Sequence, residues 1–156
     1  MKRTLLLTTL AALLLAACDA KVYYDRAQTV DEHGWLPAET VDFDVEAPDT
    51  TTVFDFLFEV RNSISYPYAN TFLFVQTTFP DGSVAHDTLE VPLADADGRW
   101  LGKRTGRYVD VRRYLYRNAR FPMEGRYRFS VANGMRDSAI AGLKNIGMRI
   151  EYSNMK

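Results

Sequence analysis

Cys18 is the single cysteine of this 156-residue chain, and it directly follows Leu15-Ala16-Ala17. A thiol there can be alkylated, and the residues upstream say by what. Lys2-Arg3 opens an apolar run from Thr4 to Leu15. A basic start, a short apolar core and small residues before a cysteine are the parts of a bacterial lipoprotein signal. The basic end stays on the cytoplasmic side, and the core, at about 12 residues, is too short to span a bilayer as a stable helix. Small side chains leave the bond before Cys18 open to a signal peptidase. The expected product carries diacylglycerol on sulfur and an acyl group, such as palmitate, on the freed amine; several chains together make a durable anchor. The sequence thus divides into a signal peptide at 1–17, a lipidated N-terminus and tether at 18–36 and a folded domain at 37–156. With its cysteine acylated, the processed chain has neither a thiol nucleophile nor an internal disulfide.

The remaining polar residues offer little catalysis. His33 and His86 are the only histidines, and neither has a second ligand at metal-binding spacing. Asp42 with Asp44, and Asp55 with Glu59, stand at even spacing, which places them along the solvated face of a strand. A glycosidase needs two carboxyls facing one another across a cleft. Asp95-x-Asp97-Gly98 begins like a calcium loop, but no later glutamate completes the set, so it reads as a turn. There is no phosphate-cradling glycine loop and no nucleophile elbow. No catalytic residue, no metal and no cofactor is expected beyond the lipid on Cys18, and no small-molecule substrate.

Two groups of residues are candidates for binding. Tyr66, Tyr68 and Trp100 are stacking surfaces for a sugar if they form an exposed row, and packing residues at a sheet edge if they do not. Pro67, between the tyrosines, biases Tyr66 towards extended backbone. Arg112, Arg113, Arg117 and Arg120 belong to a basic stretch. The net charge is −1, but its distribution is uneven. Asp19 to Arg61 holds 11 acids and 3 bases, whereas Arg99 to Arg128 holds 10 bases and 2 acids. Acidic and basic halves of one small sheet protein can pair across strands. An anionic partner is the alternative for the four arginines; nucleic acid is not expected for an exported, anchored protein.

These groups have to be positioned by strands. Val41, Phe43 and Val45 alternate with Asp42, Asp44 and Glu46, which predicts a half-buried strand. Phe54 to Arg61 alternates similarly. Phe72 to Phe79 is apolar on both faces, as in a central strand. Pro80-Asp81-Gly82-Ser83 turns it back into Val84 to Val91. Tyr108 to Tyr116, Gly125 to Val131 and Ile146 to Tyr152 follow. Met135 to Leu143 has room for a helical turn limited by Gly134 and Gly142. About eight strands with frequent turns predict an all-β fold, an antiparallel, jelly-roll-like β-sandwich.

The order of motifs resembles the GldH family of gliding-motility lipoproteins of Bacteroidota. The matching pieces are Cys18, Arg61-Asn62, Tyr66-Pro67-Tyr68-Ala69-Asn70 and Pro80-Asp81-Gly82. Then come Leu93, Asp97-Gly98-Arg99-Trp100-Leu101-Gly102, Gly125-Arg126-Tyr127, Met135-Arg136-Asp137 and Leu143 to Glu151. The resemblance implies a lipid-anchored cell-envelope protein, with the outer membrane favoured, in a system linked to gliding and to secretion. Its partners would be other envelope proteins, and the family supplies no catalytic site. The expected role is an accessory or assembly component; the alternative is a carbohydrate-binding lipoprotein.

Overall fold

The structure, a computed structural model, describes residues 21–153. Among the described residues nine strands form two antiparallel sheets. They are β1 (Val22–Thr29), β2 (Thr40–Ala47), β3 (Phe54–Ser63), β4 (Asn70–Thr78), β5 (Val84–Pro92), β6 (Lys103–Thr105), β7 (Tyr108–Ala119), β8 (Gly125–Asn133) and β9 (Leu143–Tyr152). One sheet has the order β1-β9-β3-β7-β6 and the other β2-β8-β4-β5. The predicted all-β sandwich is therefore present. Among the described residues no helix is long and apolar enough to cross a membrane.

Alternation decides which side of each strand faces the other sheet. On β2, Val41, Phe43, Val45 and Ala47 are buried and the residues between them are exposed. On β8, Tyr127, Phe129, Val131 and Asn133 turn inward. β3 lies between β9 and β7, and Phe56, Leu57 and Phe58 are buried in succession. The register shifts at Phe56–Leu57, and on the outer face of β3 Asp55, Glu59 and Arg61 stay half-buried. The sequence expected a strand apolar on both faces at Phe72–Phe79. β4 does sit inside its sheet, between β8 and β5, but nothing covers its outer face and Phe74 is 50 % exposed. Large apolar side chains such as Phe54, Phe58 and Ile150 each stabilise the fold by roughly 1.5–3 kcal/mol on leaving water.

The tether expected over 18–36 is shorter than the sequence suggests. Val22–Thr29 pairs with β9 from Val22↔Glu151 to Thr29↔Asn145, so the folded body starts at β1 and not at residue 37. The reason this strand is hard to see is that most of its side chains are exposed. It is held through backbone hydrogen bonds to an otherwise open edge, which leave no apolar period. Side chains add to this along its length: the Tyr23 ring packs 5.0 Å from Phe54 and its hydroxyl donates to the Glu46 carbonyl at 2.6 Å, while Gln28 donates to the Asp42 carbonyl and Asn145 to Thr29 Oγ1. The signal peptide and Cys18 lie outside the described residues.

The connections follow their turn chemistry. Pro80-Asp81-Gly82-Ser83 closes the β4–β5 hairpin, with Gly82 at φ +85°, a conformation in which a side chain is strained. Met135–Leu143 holds no helical turn; Ile140 instead exchanges backbone hydrogen bonds with Trp35 at 2.9 and 3.0 Å, pinning the β8–β9 loop to the β1–β2 loop. Gly102 passes so close to β7 that a Cβ there would lie 2.0 Å from the Asp110 carbonyl oxygen.

Between β2 and β3, Asp49 accepts from the amides and hydroxyls of both Thr51 and Thr52, at 2.6–2.9 Å. These donors, led by the Thr52 amide, hold its carboxyl far below the ordinary value of 3.8. A depressed carboxyl stabilises the fold above its unfolded-state pKa, and the gain is lost as pH falls through the folded value. Asp49→Asn is therefore expected to lower the urea midpoint at neutral pH. Its deficit against the parent should shrink progressively below about pH 4. A deficit unchanged down to about pH 2 would remove the ionised carboxyl from the account.

Candidate functional site

The basic stretch of the sequence is mostly β7, and its register sets what each arginine meets. Glu59 lies directly opposite Arg112, and Arg61 opposite Asp110. Arg112 Nε donates to Glu59 Oε2 at 2.6 Å, and Arg61 grips Asp110 with two bonds of 2.6 and 2.8 Å. On the other sheet Arg128 makes the same bidentate contact with Asp44, its opposite on β2, at 2.8 and 3.1 Å. That hydrogen bonding pulls the Asp44 carboxyl below its usual range. Arg149 holds Asp25, its opposite on β1, as well as Glu151. Glu32 collects Arg107, Lys144 and the Tyr108 hydroxyl. The acidic and basic halves of the chain thus pair across strands, as the charge distribution predicts.

Of the four arginines expected to meet a partner, Arg112 is occupied by Glu59. Arg113, Arg117 and Arg120 are exposed and none is in an ion pair among the described residues. The Arg117 guanidinium lies 3.8 Å from the centre of the Tyr114 ring, and Arg120 Nε donates to the Thr51 carbonyl at 3.0 Å. β6 pairs with β7 only from Tyr108 to Asp110. Beyond Asp110, no strand of the described residues borders that edge of β7. The result is a strand edge with two unneutralised cations, Arg113 and Arg117, and a third, Arg120, just past the end of β7, which suits an anionic, extended partner.

The aromatic candidates do not form a row. Tyr66 is 4 % exposed, with its hydroxyl on the Asn70 carbonyl at 3.2 Å, and burial pushes its pKa up to about 12. Tyr68 stands edge-on to it at 5.8 Å, partly exposed, and donates to Asp137 Oδ2 at 2.6 Å. Trp100 is half-buried against the core and forms no aromatic pair with either tyrosine. A buried ring offers no face to a sugar, so of these three residues Tyr66 is a packing residue. The tyrosines brace the loop that carries Asp137; Asp137 takes the Tyr68 hydroxyl, and no ion pair joins it to Arg136 among the described residues.

The other candidates are explained locally. His33 and His86 are exposed. Asp95 accepts from the Asp97 and Arg99 amides at 2.9 Å and from the Arg99 side chain, so its oxygens already have donors. Among the described residues no group of three or more His, Cys, Asp or Glu side chains is placed to hold a metal ion. One contact was beyond the sequence: the Tyr116 hydroxyl donates to Asp87, tying β7 to β5 across the sandwich. Those residues are 29 positions apart, and no local pattern joins them.

Comparison with known proteins agrees with the motif order. The model of the GldH lipoprotein family matches residues 22–150. The gliding motility lipoprotein GldH homolog of Christiangramia forsetii is 32 % identical over 149 residues, covering 91 % of each chain. The gliding motility lipoprotein GldH of Flavobacterium johnsoniae is 30 % identical over 152 residues, covering 93 % of this chain and 94 % of that one. Among solved structures, the Yersinia pseudotuberculosis-derived mitogen covers 85 % of this chain and 87 % of its own, with 10 % identity and a TM-score of 0.34. So loose a likeness carries no argument about function. The family match spans β1 to β9 and both relatives align almost end to end; the chain belongs to the GldH lipoprotein family.

Proposed function

We propose that this protein is a lipid-anchored component of the bacterial cell envelope that serves gliding motility, and that it works by contact and not by catalysis. The observation that carries this reading is the family match over residues 22–150, joined to Cys18 in its signal. Both relatives are named as gliding motility lipoproteins. The anchor confines the β-sandwich to a membrane, the outer membrane in this reading. Confinement raises the effective concentration of neighbouring envelope proteins, so weak contacts suffice to hold an assembly together. Arg113 and Arg117 on the open part of β7, with Arg120 just past its end, are the contact residues, and the partner surface is acidic. The role is that of an accessory or assembly component of the gliding and secretion machinery.

Photo-crosslinking from position 113 or 117 in intact cells, followed by identification of the captured proteins, tests this. The expected result is one or a few envelope proteins whose capture falls when Arg113, Arg117 and Arg120 are changed together to glutamine. Recovery of lipid-processing enzymes alone would count against an assembly role.

A further inference from the structure

β7 is a long strand with a short neighbour. β6 pairs with it only from Lys103↔Asp110 to Thr105↔Tyr108, so the edge that faces away from β3 is open from Val111 onward. That half of the strand is also bare on its faces. Arg112, Arg113, Tyr114, Tyr116, Arg117 and Asn118 are exposed, and Leu115 among them is half-buried. The direction of the free backbone groups follows from the hairpin. The Arg107 carbonyl accepts from the Ile64 amide at 2.9 Å, on the β3 side. Backbone groups alternate along an antiparallel strand. Val109, Val111 and Arg113 therefore address β3, while Arg112 and Tyr114 turn their N–H and C=O to the open edge. Among the described residues no loop or side chain bonds to the backbone of residues 112 to 117.

The opposite side of the sandwich is closed differently. There the carbonyls of Asp42 and Glu46, on the edge strand β2, are taken by the side chains of Gln28 and Tyr23 from β1. On the β7 side the Tyr116 hydroxyl reaches Asp87 of β5 and leaves the β7 backbone free. An uncovered strand edge is a template for another strand, and its side chains decide which one. Arg113 and Arg117 are in no ion pair among the described residues. A second copy of β7 would set like charges side by side, which is destabilising, whereas an acidic strand gains from both arginines. The bulge in β7 fixes the spacing. Arg113 lies opposite Phe58 and Tyr116 opposite Phe56, so three steps of β7 match two of a regular strand. Arg113 to Arg117 therefore matches three steps, and acids three positions apart in a regular partner meet both arginines.

We propose that the β7 edge from Arg112 to Arg117 receives an added β-strand, supplied by an extended acidic segment of another polypeptide. Main-chain bonds to Arg112 and Tyr114 hold the segment, and Arg113 and Arg117 select its carboxylates. Strand addition of this kind rests on the reading of β7 as the contact surface. It specifies what meets that surface: an open strand and not the face of a folded domain.

The test titrates the isotope-labelled, lipidated protein in lipid nanodiscs with the peptide acetyl-Thr-Glu-Val-Thr-Glu-Val-Thr-amide, followed by NMR. The expected result is saturable binding that slows amide exchange at Arg112 and Tyr114 at least tenfold and leaves Val111 and Arg113 unchanged. The glutamine version of the peptide should bind at least tenfold more weakly, and so should the parent peptide on the double variant Arg113→Gln with Arg117→Gln. A strand that adds along one edge uses alternate amides. Two peptides N-methylated on alternate residues, in the two possible phases, should therefore differ: one loses tenfold or more and the other stays within threefold of the parent peptide. Absence of saturable binding overturns the proposal. So does binding that leaves Arg112 and Tyr114 unprotected, equal binding by the two methylated peptides, or undiminished binding by the glutamine version. Photo-crosslinking in cells keeps this apart from the assembly role. Capture of envelope proteins from position 113, with the two amides unprotected by the peptide, overturns strand addition and leaves that role standing. Protection by the peptide with no envelope protein captured supports strand addition and removes the role.

Discussion

Cys18→Ser is expected to move the protein from the membrane to the soluble fraction, by tenfold or more. In the proposed reading the diacylglycerol is joined through sulfur, and a serine hydroxyl is not a substitute nucleophile under the same conditions. Each buried methylene contributes about 0.8 kcal/mol of membrane affinity, and a single acyl chain holds a protein only marginally. Removing all the chains therefore takes away the acyl insertion itself; the exposed faces of the sandwich carry ion pairs, with Phe74, Val84 and Leu101 among the exposed apolar side chains. Fractionation of envelopes, with mass spectrometry of the processed amino terminus, measures both the attachment and its chemistry. A serine variant that still sediments with membranes, or a parent whose terminus carries no acyl group, would show that something other than lipid holds the protein there.

Trp35→Ala is expected to be the most damaging single change within the fold. The side chain is 1 % exposed, its indole N–H donates to the Glu39 carbonyl at 2.9 Å, and its backbone joins the loop at Ile140. Asn133, also buried, donates to the Trp35 carbonyl. Truncating a large buried aromatic costs about 3–5 kcal/mol. Domains of this size are stable by about 5–15 kcal/mol in total, so the loss takes away a large share. The melting temperature should fall by on the order of 10–20 °C. Trp35→Phe keeps most of the volume and loses the indole donor, at roughly 1–2 kcal/mol. Calorimetry on the two variants separates packing from hydrogen bonding: equal losses would mean that filling the site contributes little.

How much of this was legible beforehand depended on whether the physics was local. β2 was legible because its period of two reports a single buried face, and the β4–β5 hairpin because Pro80-Asp81-Gly82-Ser83 has only one economical backbone path. The pairing of acidic with basic strands could be read from charge distribution, though the individual partners, such as Arg61 with Asp110, needed the register. β1 was missed because its cohesion is in the main chain, which the side-chain pattern does not report. Phe74 was misplaced because being central within a sheet and being covered on both faces are separate properties. Gly102 was visible in a family motif, but the reason for it, a carbonyl oxygen occupying the space of a Cβ, exists only once β7 lies alongside.

The early start of β1 also sets the height at which the protein works. If the lipid is on Cys18, only Asp19, Ala20 and Lys21 separate it from Val22, the first residue of the sheet. Fully stretched, four peptide steps reach about 14 Å, less than the thickness of the sandwich's own two layers with their side chains. With the lipid there, the β-sandwich would be moored at the headgroups and not held out on a leash. The end that carries Val22, Tyr152 and the Tyr23–Phe54 contact would then sit towards the bilayer, and a docking partner would approach from the side, skimming the membrane.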